Sequence, residues 1–253
     1  VIFGLLKIVN FAHGAMYMLG AFATLLGMRY LGINYWAALL LAPLVVGLFG
    51  MLLERTLLRR IAHLDHLYGL LLTFGMVLIF EGALVNFFGV SGARYPTPEA
   101  LQGGFQLGFM FLPTYRAFVL VAAIVVCLAT WYMIERTRLG AYLRAGTENP
   151  ALMQAFGVNV PLLITLTYGF GVALAAFAGV LAAPLYPVSP TMGSNLLIVV
   201  FAVVVIGGMG SILGAVLTGL GMGLIEGLTK VYYPEAANTV IFLVMILVLL
   251  LRP

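Results

Sequence analysis

Long apolar stretches separated by short polar segments make up most of the chain. A helix needs about 20 apolar residues to cross a bilayer, and the stretches approach that length without the alternation typical of a β-barrel. We therefore predict an all-α, polytopic membrane helical bundle with about eight or nine membrane-spanning segments, some of them broken. The predicted spans are residues 14–29, 35–53, 67–88, 116–134, 161–183, 195–210, 212–230 and 238–251, and residues 1–9 are the end of one more.

Two of these stretches carry signs of a break. Asn10 and His13 lie three residues apart in an apolar run, so on a continuous helix they share a face, and Gly14 then weakens the helix. Broken helices in membranes occur where they are buried in protein or line a cavity. Both side chains are interpreted either as bonding freed backbone groups or as contacting a solute in a translocation path. The span 195–210 is short and ends in Gly207, Gly208 and Gly210, which we also predict to allow close helix packing.

Composition places the chain among membrane proteins. It is 64% hydrophobic and 8% charged, with a mean hydropathy of +1.16, whereas a soluble domain carries about 25% charged residues. The single cysteine, Cys127, cannot form an internal disulfide. The spans form one transmembrane domain over residues 1–253. Because the chain opens within an apolar run and stops just after one, we expect both ends to be trimmed.

The basic residues predict the orientation of the spans. Segments 54–66 and 135–150 each contain three arginines and are separated by two spans, so they lie on the same side. Arginine-rich loops favour the cytoplasm, which leaves the loop 89–115 outside. The net charge of +4 is explained by this topology, and we expect no nucleic-acid partner.

Polar groups within spans are costly and usually face the bundle interior or water. Glu81 is interpreted either as a translocation-path residue or as a packing partner bonded to a neighbouring helix. Asn86 is a further candidate for the path, although it lies about 140° around the same helix. Glu226 is nearer the end of its span, where it reaches water.

Small residues recur every four positions in two spans, which is typical of closely packed membrane helices. Neither row alone points to a function. The rows are Gly171, Ala175, Gly179 and Ala183 in one span, and Ser211, Ala215, Gly219, Gly223 and Gly227 in the other.

Enzymatic motifs are absent from the sequence, including those of zinc proteases, serine hydrolases and P-loop nucleotidases. The stretch "GGMGSILG" misses the dinucleotide fingerprint by one residue. His63, Asp65 and His66 lie beside three arginines, which disfavours a bound cation. We therefore expect no catalytic residue, cofactor or metal in this chain.

A short amphipathic helix is predicted in the cytoplasmic segment 135–160, at "NPALMQAFGV". Asn149 and Pro150 suit a cap and a first turn, and Gly157 suits a terminator. An isolated helix of this length is marginal in water, so it must pack against something. The candidates are this chain's own membrane helices or a cytoplasmic partner.

Three long stretches of the sequence resemble those of a known protein family. They are "GLLKIVNFAHGAMYMLGAF", then "RTRLGAYLRAGTENPALMQAFGVNVPLL" with the span that follows, and "FAVVVIGGMGSILGAVLTGLGMGLIEGL". In this order they resemble the permease subunits of branched-chain amino acid ABC importers, over nearly the whole chain.

The resemblance implies a heteromeric importer in the bacterial or archaeal cytoplasmic (inner) membrane. Its other parts would be a second permease subunit (a related chain or a copy), two cytoplasmic ATPase subunits that bind ATP and Mg, and a periplasmic or lipid-anchored solute-binding protein, all within membrane lipid. The segment 135–160 would couple to the ATPase. The implied coupling residues are Arg138, Arg144, Glu148, Asn149, Pro150, Ala151, Gln154 and Gly157.

The family leaves the solute open. Branched-chain amino acids come first, and urea, short amides or other amino acids are the alternatives. A rival of another class is a secondary transporter driven by an ion gradient, with Glu81 and Glu226 as coupling carboxylates. That rival does not need the amphipathic helix at 149–157. A membrane-embedded enzyme would need clustered catalytic groups, and the sequence shows none.

Overall fold

Each predicted apolar span from residue 14 onward coincides with a helix in the computed structural model. The structure describes residues 10–62, 64–106, 108, 111–208, 210–237 and 239–251, apart from the side chain of His66. The described helices are α1 (Ala12–Leu31), α2 (Tyr35–Leu53), α3 (His66–Phe88), α4 (Thr114–Arg136), α5 (Arg138–Glu148), α6 (Pro150–Ala155), α7 (Val160–Ala182), α8 (Met192–Gly207), α9 (Ile212–Tyr232) and α10 (Val240–Leu251).

The all-α membrane fold is confirmed, but the predicted number of spans is not. Five helices of the described part are long and apolar enough to cross a membrane, namely α2 with its continuation to Ile61, α3, α4, α7 and α9. α8 and α10 are apolar but shorter, and α1 carries His13 and Arg29, which lower its hydropathy. The span predicted at residues 1–9 lies outside the described residues.

Short polar side chains start several of these helices, because an oxygen at the N-cap accepts a backbone N–H that has no partner within the helix. The caps are Asn34 for α2, Asp65 for α3, Asn159 for α7 and Ser211 for α9. Asp65, which was considered as a metal ligand, is therefore a capping residue, and His63 lies outside the described residues. After α2 the helix continues as a π-helical turn, Glu54–Leu58, and a last α-helical turn, Arg59–Ile61.

α7 is the central helix of the main core and packs closely on α1 and α2. A Cβ atom on Gly179 would overlap the carbonyl oxygen of Tyr17, and one on Gly20 would overlap Ala176. Only glycine allows two helix backbones to approach this closely. The largest side chains enclosed there are Tyr168, Met16, Met18, Val172 and Val180.

A second, smaller group of helices consists of α8, α9 and α10. Its buried residues are Ala202, Met222 and Ile241. In α7, 44% of the most apolar stretch is buried, whereas the value for α9 is 6%. α9 therefore lies largely exposed along the side of the bundle.

The loop between α3 and α4 contains a short antiparallel hairpin of β1 (Gly104–Gln106) and β2 (Phe111–Pro113), which the sequence analysis did not predict. Ala93 exchanges backbone hydrogen bonds with Val188, which follows α7. The Tyr115 hydroxyl donates to the Leu181 carbonyl at 3.0 Å and lies 2.7 Å from the Tyr35 hydroxyl. These bonds gather the predicted outer ends of α2, α4 and α7 on one side.

The two arginine-rich segments lie together at the opposite end of α7. Glu54, in the first segment, bonds Thr165 in the second turn of α7. Gly146, in the second segment, lies beside Val160 and Leu163 at the start of the same helix. The prediction that both segments lie on one side is confirmed.

Candidate functional site

The first described helix begins inside the bundle. The Phe11 N–H donates to Thr73 Oγ1 at 3.3 Å, and Thr73 lies about a third of the way along α3. Asn10 Oδ1 accepts the Ala12 N–H at 3.0 Å. Side chains of the bundle thus bond two backbone amides at the start of α1, which a membrane interior would leave without a partner.

Asn10 also joins α1 to the central helix. Its Nδ2 donates to Tyr168 Oη at 2.8 Å, and both side chains are buried. One side-chain amide therefore accepts the Ala12 N–H of α1 and fixes the start of this helix to α7.

His13 lines a cavity of about 270 Å³ between α1, α7 and α8. The cavity wall is mostly apolar, and His13 and Tyr17 are the residues with polar side chains that line it. His13 Nδ1 is buried and has no hydrogen-bond partner among the described residues. The other lining residues include Gly171, Leu174, Ala175, Leu196, Leu197 and Val200.

The intramembrane carboxylates are bonded to nearby residues. The Ser194 hydroxyl, in the first turn of α8, donates to Glu81 Oε1. Lys230 Nζ lies 2.5 Å from Glu226 Oε1, one turn along α9. Asn86 is exposed on α3 and does not line the His13 cavity. The candidate path residues Asn10 and His13 are thus close together, while Glu81 contacts the start of α8 and Asn86 is apart.

The segment 135–160, predicted to be cytoplasmic, contains the predicted short helix. Asn149 Oδ1 accepts the Leu152 N–H at 3.0 Å, Pro150 is the first residue of α6, and Gly157 has a φ of +80°. The cap, first turn and terminator are confirmed. α5, which precedes it, was not predicted as a helix.

Most residues proposed for coupling are exposed. Arg144 differs, because its Nη1 donates to the Ile134 carbonyl at 2.8 Å and lies 3.5 Å from Glu135. Two apolar side chains of this segment are also uncovered, with Leu152 53% and Phe156 75% exposed. The exposed polar and small residues are Arg138, Glu148, Asn149, Pro150, Ala151, Gln154 and Gly157.

The glycines proposed for helix packing fall into three groups. Gly171 and Gly179 are buried on α7, and Gly207 lies against the first turn of α9. Gly208 and Gly210 have φ values of +89° and +103° and form the turn between α8 and α9. Gly219 faces Val203, but Gly223 and Gly227 are exposed and a Cβ atom there would meet nothing within 4 Å. The outer part of the α9 row therefore contacts no other described helix.

The turn at Gly208 borders a groove of about 400 Å³ between α4, α8 and α9. Its wall is formed by Cys127 and Ile124 of α4, by Val203, and by Ser211 and Gly219 of α9. The α9 row therefore faces this groove over its first half.

Sequence analysis missed Glu54, which is 5% exposed and accepts a hydrogen bond from Thr165. Its position between an apolar run and an arginine is also typical of a solvated loop. The usable signal was the "LLERT" junction, where a carboxylate directly continues a span. Among the described residues, no three histidine, cysteine or carboxylate side chains come together as a metal site would require.

Comparison with known proteins assigns this chain to a family. The sequence profile described as branched-chain amino acid transport system / permease component matches residues 1–249. The chain belongs to this permease family.

Related permeases match along nearly their full length. The high-affinity branched-chain amino acid transport system permease protein LivH of Escherichia coli (strain K12) is 29% identical over 269 residues, covering 100% of this chain and 86% of that protein. BraD of Pseudomonas aeruginosa is 30% identical over 267 residues with the same coverage. A probable branched-chain amino acid transport permease, LivH of Methanocaldococcus jannaschii, is 27% identical over 267 residues, covering 98% and 82%.

No solved structure matches the chain. The family resemblance inferred from the sequence motifs is confirmed. As a member of this permease family, the chain is a multi-pass transport protein of the inner membrane.

Proposed function

We propose that this chain is a permease subunit of an ATP-binding-cassette importer for branched-chain amino acids, driven by separate ATPase subunits. One observation carries the proposal. The exposed apolar helix α6 is joined through residues 156–159 to α7, the central helix, which lines the His13 cavity. A force applied to α6 is therefore delivered to the wall of the candidate path.

The exposed side chains of α6 favour a protein partner. Leu152 and Phe156 face the predicted cytoplasmic side, where leaving apolar surface in water costs free energy that docking recovers. In the proposed complex a groove of each ATPase subunit covers one such helix. ATP and Mg are bound by those subunits, and a second permease and a solute-binding protein complete the importer.

The cavity favours a solute with an apolar side chain. Three leucines, one valine and four glycine or alanine residues line it, with His13 and Tyr17 as the polar residues. Leucine, isoleucine or valine would bury an aliphatic side chain there, whereas urea has none to bury. The names of the related permeases agree with this solute class.

The bonding of the carboxylates disfavours the ion-gradient alternative. Glu81 is bonded by Ser194, and Glu226 is paired with Lys230 on the same helix. In the proposed mechanism the solute path opens first to one side and then to the other as helices rock. Net pumping requires that the two conformations bind the solute with different affinity.

Reconstitution tests the proposal directly. The chain is expressed with its partner subunits, purified, and placed in vesicles with ATP and the binding protein. We expect ATP-dependent uptake of labelled leucine that excess valine competes with and excess urea does not. Uptake on a proton or sodium gradient without an ATPase would contradict the proposal.

Phe156→Ala tests the docking of α6. We expect solute-stimulated ATP hydrolysis to fall about tenfold, because truncating a buried interface anchor costs more than 1 kcal/mol. Phe87→Ala is the matched control. Phe87 is 77% exposed, but it lies at the C-terminal end of α3, which leads into the loop predicted to lie outside. Gly157→Trp should also block docking, but tryptophan is strained at the positive φ of this position. Gly157→Asn tolerates that φ and adds less bulk, so comparing the two variants separates backbone strain from the steric block of docking. Equal hydrolysis in Phe156→Ala and wild type would count against α6 as the coupling element.

A further inference from the structure

Two hydrogen bonds join the first half of α7 to other helices. The Thr165 hydroxyl donates to Glu54 Oε2 at 2.6 Å, and Tyr168 Oη accepts from Asn10 Nδ2 at 2.8 Å. Thr165 and Tyr168 are three residues apart and so lie on adjacent positions of one helix surface. Together they fasten α7 to the end of α2 and to the start of α1.

Because both hydrogen bonds are buried, they help to fix the position of α7. Tyr168 is fully buried, and Glu54 and Asn10 are 5% and 8% exposed. In such an interior an unpaired carboxylate or amide is costly. α7 therefore cannot shift without either breaking these bonds or carrying Glu54 and Asn10 with it.

Glu54 is placed where the backbone can adjust. It is the first residue of the π-helical turn Glu54–Leu58, within a run that is otherwise α-helical. Such turns interrupt the regular hydrogen-bond ladder and are frequent at functional sites. The turn allows the end of α2 to follow Thr165.

On the cytoplasmic side, the same part of α7 adjoins the coupling segment. Gly146 of α5 lies beside Val160 and Leu163. From Val160 to Thr165 the helix rises only about 8 Å, so a displacement of α5 and α6 reaches Thr165 through a stiff element.

Toward the cavity, the link passes through Asn10. This residue donates to Tyr168 through Nδ2 and accepts the Ala12 N–H of α1 through Oδ1. His13, in the first turn of α1, lines the cavity. A shift of Tyr168 therefore moves the imidazole.

We infer that Thr165 and Tyr168 are positioning residues that carry movement of residues 138–155 to the start of α1, and so set when the His13 cavity opens. The inference rests on the proposed function, because it requires an ATPase that moves this segment. Packed side chains, hydrogen bonds and stiff helices are one physical means by which two distant sites become coupled.

The test measures solute imported per ATP hydrolysed in the reconstituted complex. Thr165→Val and Tyr168→Phe remove one hydroxyl each and keep the shape of the side chain. We expect ATP hydrolysis to be retained and import per ATP to fall at least about fivefold, the ratio that one typical hydrogen bond changes in an equilibrium. Thr165→Ser keeps the hydroxyl and should restore the wild-type ratio.

Thr167→Val is the matched control. Thr167 is a buried threonine of the same helix whose hydroxyl donates to Leu163 within that helix. An unchanged ratio in Thr165→Val and Tyr168→Phe, or an equal fall in Thr167→Val, would overturn the inference while leaving the proposed function intact. Failure of the wild-type complex to import with ATP would overturn both.

Discussion

The helices α7 and α9 carry the same spacing of small residues but lie in different surroundings. On α7, Gly179 is in backbone contact with α1 at Tyr17. On α9, Gly219 faces Val203 across the helix pair, and Gly223 faces open space. The spacing marks a surface on which a helix can pack, but it does not say whether this chain supplies the partner.

The difference follows from what else each helix offers. α7 presents hydrogen-bonding side chains, Thr165 and Tyr168, to residues at the ends of two other helices, which helps to fix its orientation. On α9, the side-chain hydrogen bonds among the described residues stay within the helix and its cap, as in the pair Glu226 and Lys230. A helix without such links is free to use its small-residue face toward lipid or another subunit.

The largest expected effect separates the two rows directly. Gly179→Ala would place a Cβ atom on the Tyr17 carbonyl oxygen and force α1 and α7 apart. We expect it to destabilise the fold by about 3 kcal/mol, at the upper end of overpacking costs. The measurement is the unfolding midpoint of the purified chain in detergent.

Gly219→Ala is the control for this substitution. Its Cβ would lie 3.6 Å from Val203 Cγ1, an ordinary contact. Replacing a helical glycine there should stabilise by about 0.5–1 kcal/mol. A Gly179→Ala variant as stable as Gly219→Ala would show that the backbones of α1 and α7 are not in contact.

An effect of intermediate size is expected when a buried hydrogen bond is removed, compared with an exposed ion pair. Tyr115→Phe leaves the Leu181 carbonyl and the Tyr35 hydroxyl without their partner, which should cost about 1–3 kcal/mol. Lys230→Met breaks the exposed pair with Glu226 and should change stability by about 0.5 kcal/mol or less. The change in stability of each variant is measured from its denaturant midpoint. Equal losses of stability in the two variants would contradict the distinction between the two regions.

The smallest effect depends on pH. Burial raises the pKa of Tyr95, which lies in the loop between α3 and α4. The folded state therefore favours the neutral phenol, and this stabilisation is complete below the unfolded pKa of about 10 and is lost as pH rises through the folded value.

Tyr95→Phe should accordingly flatten the loss of stability at alkaline pH. The check is the difference in unfolding midpoint between variant and wild type from neutral pH to above about 10. Tyr233→Phe, at a site 60% exposed after α9, is the control. The same slope in Tyr95→Phe and wild type would exclude this contribution.

Helix positions were predictable because long apolar runs fix where helices form. The span predicted at 35–53 coincides with α2, and Asn149 and Gly157 bound α6 where their chemistry favours a cap and a terminator. The pairing of helices was not predictable. α2 is apolar on all sides, so no stripe in its sequence marks the side that faces α7.

The candidate site was predictable in part for a related reason. Asn10 and His13 were found because polar groups in an apolar run are costly. Thr165 and Tyr168 are ordinary residues for a membrane helix, and their partners lie 111 and 158 positions away. Glu54 resembles a solvated residue until the fold buries it.

The turn between α8 and α9 determines what can fill the groove beside it. Gly208, Gly210 and Ser211 place non-helical backbone next to Cys127, about midway along α4. Acyl chains cannot form hydrogen bonds with a peptide group, so this groove has to contain water or be covered by a neighbouring protein. A spin label at position 211 should therefore collide rarely with oxygen dissolved in the lipid. Frequent collisions would show that acyl chains of the bilayer fill the groove instead.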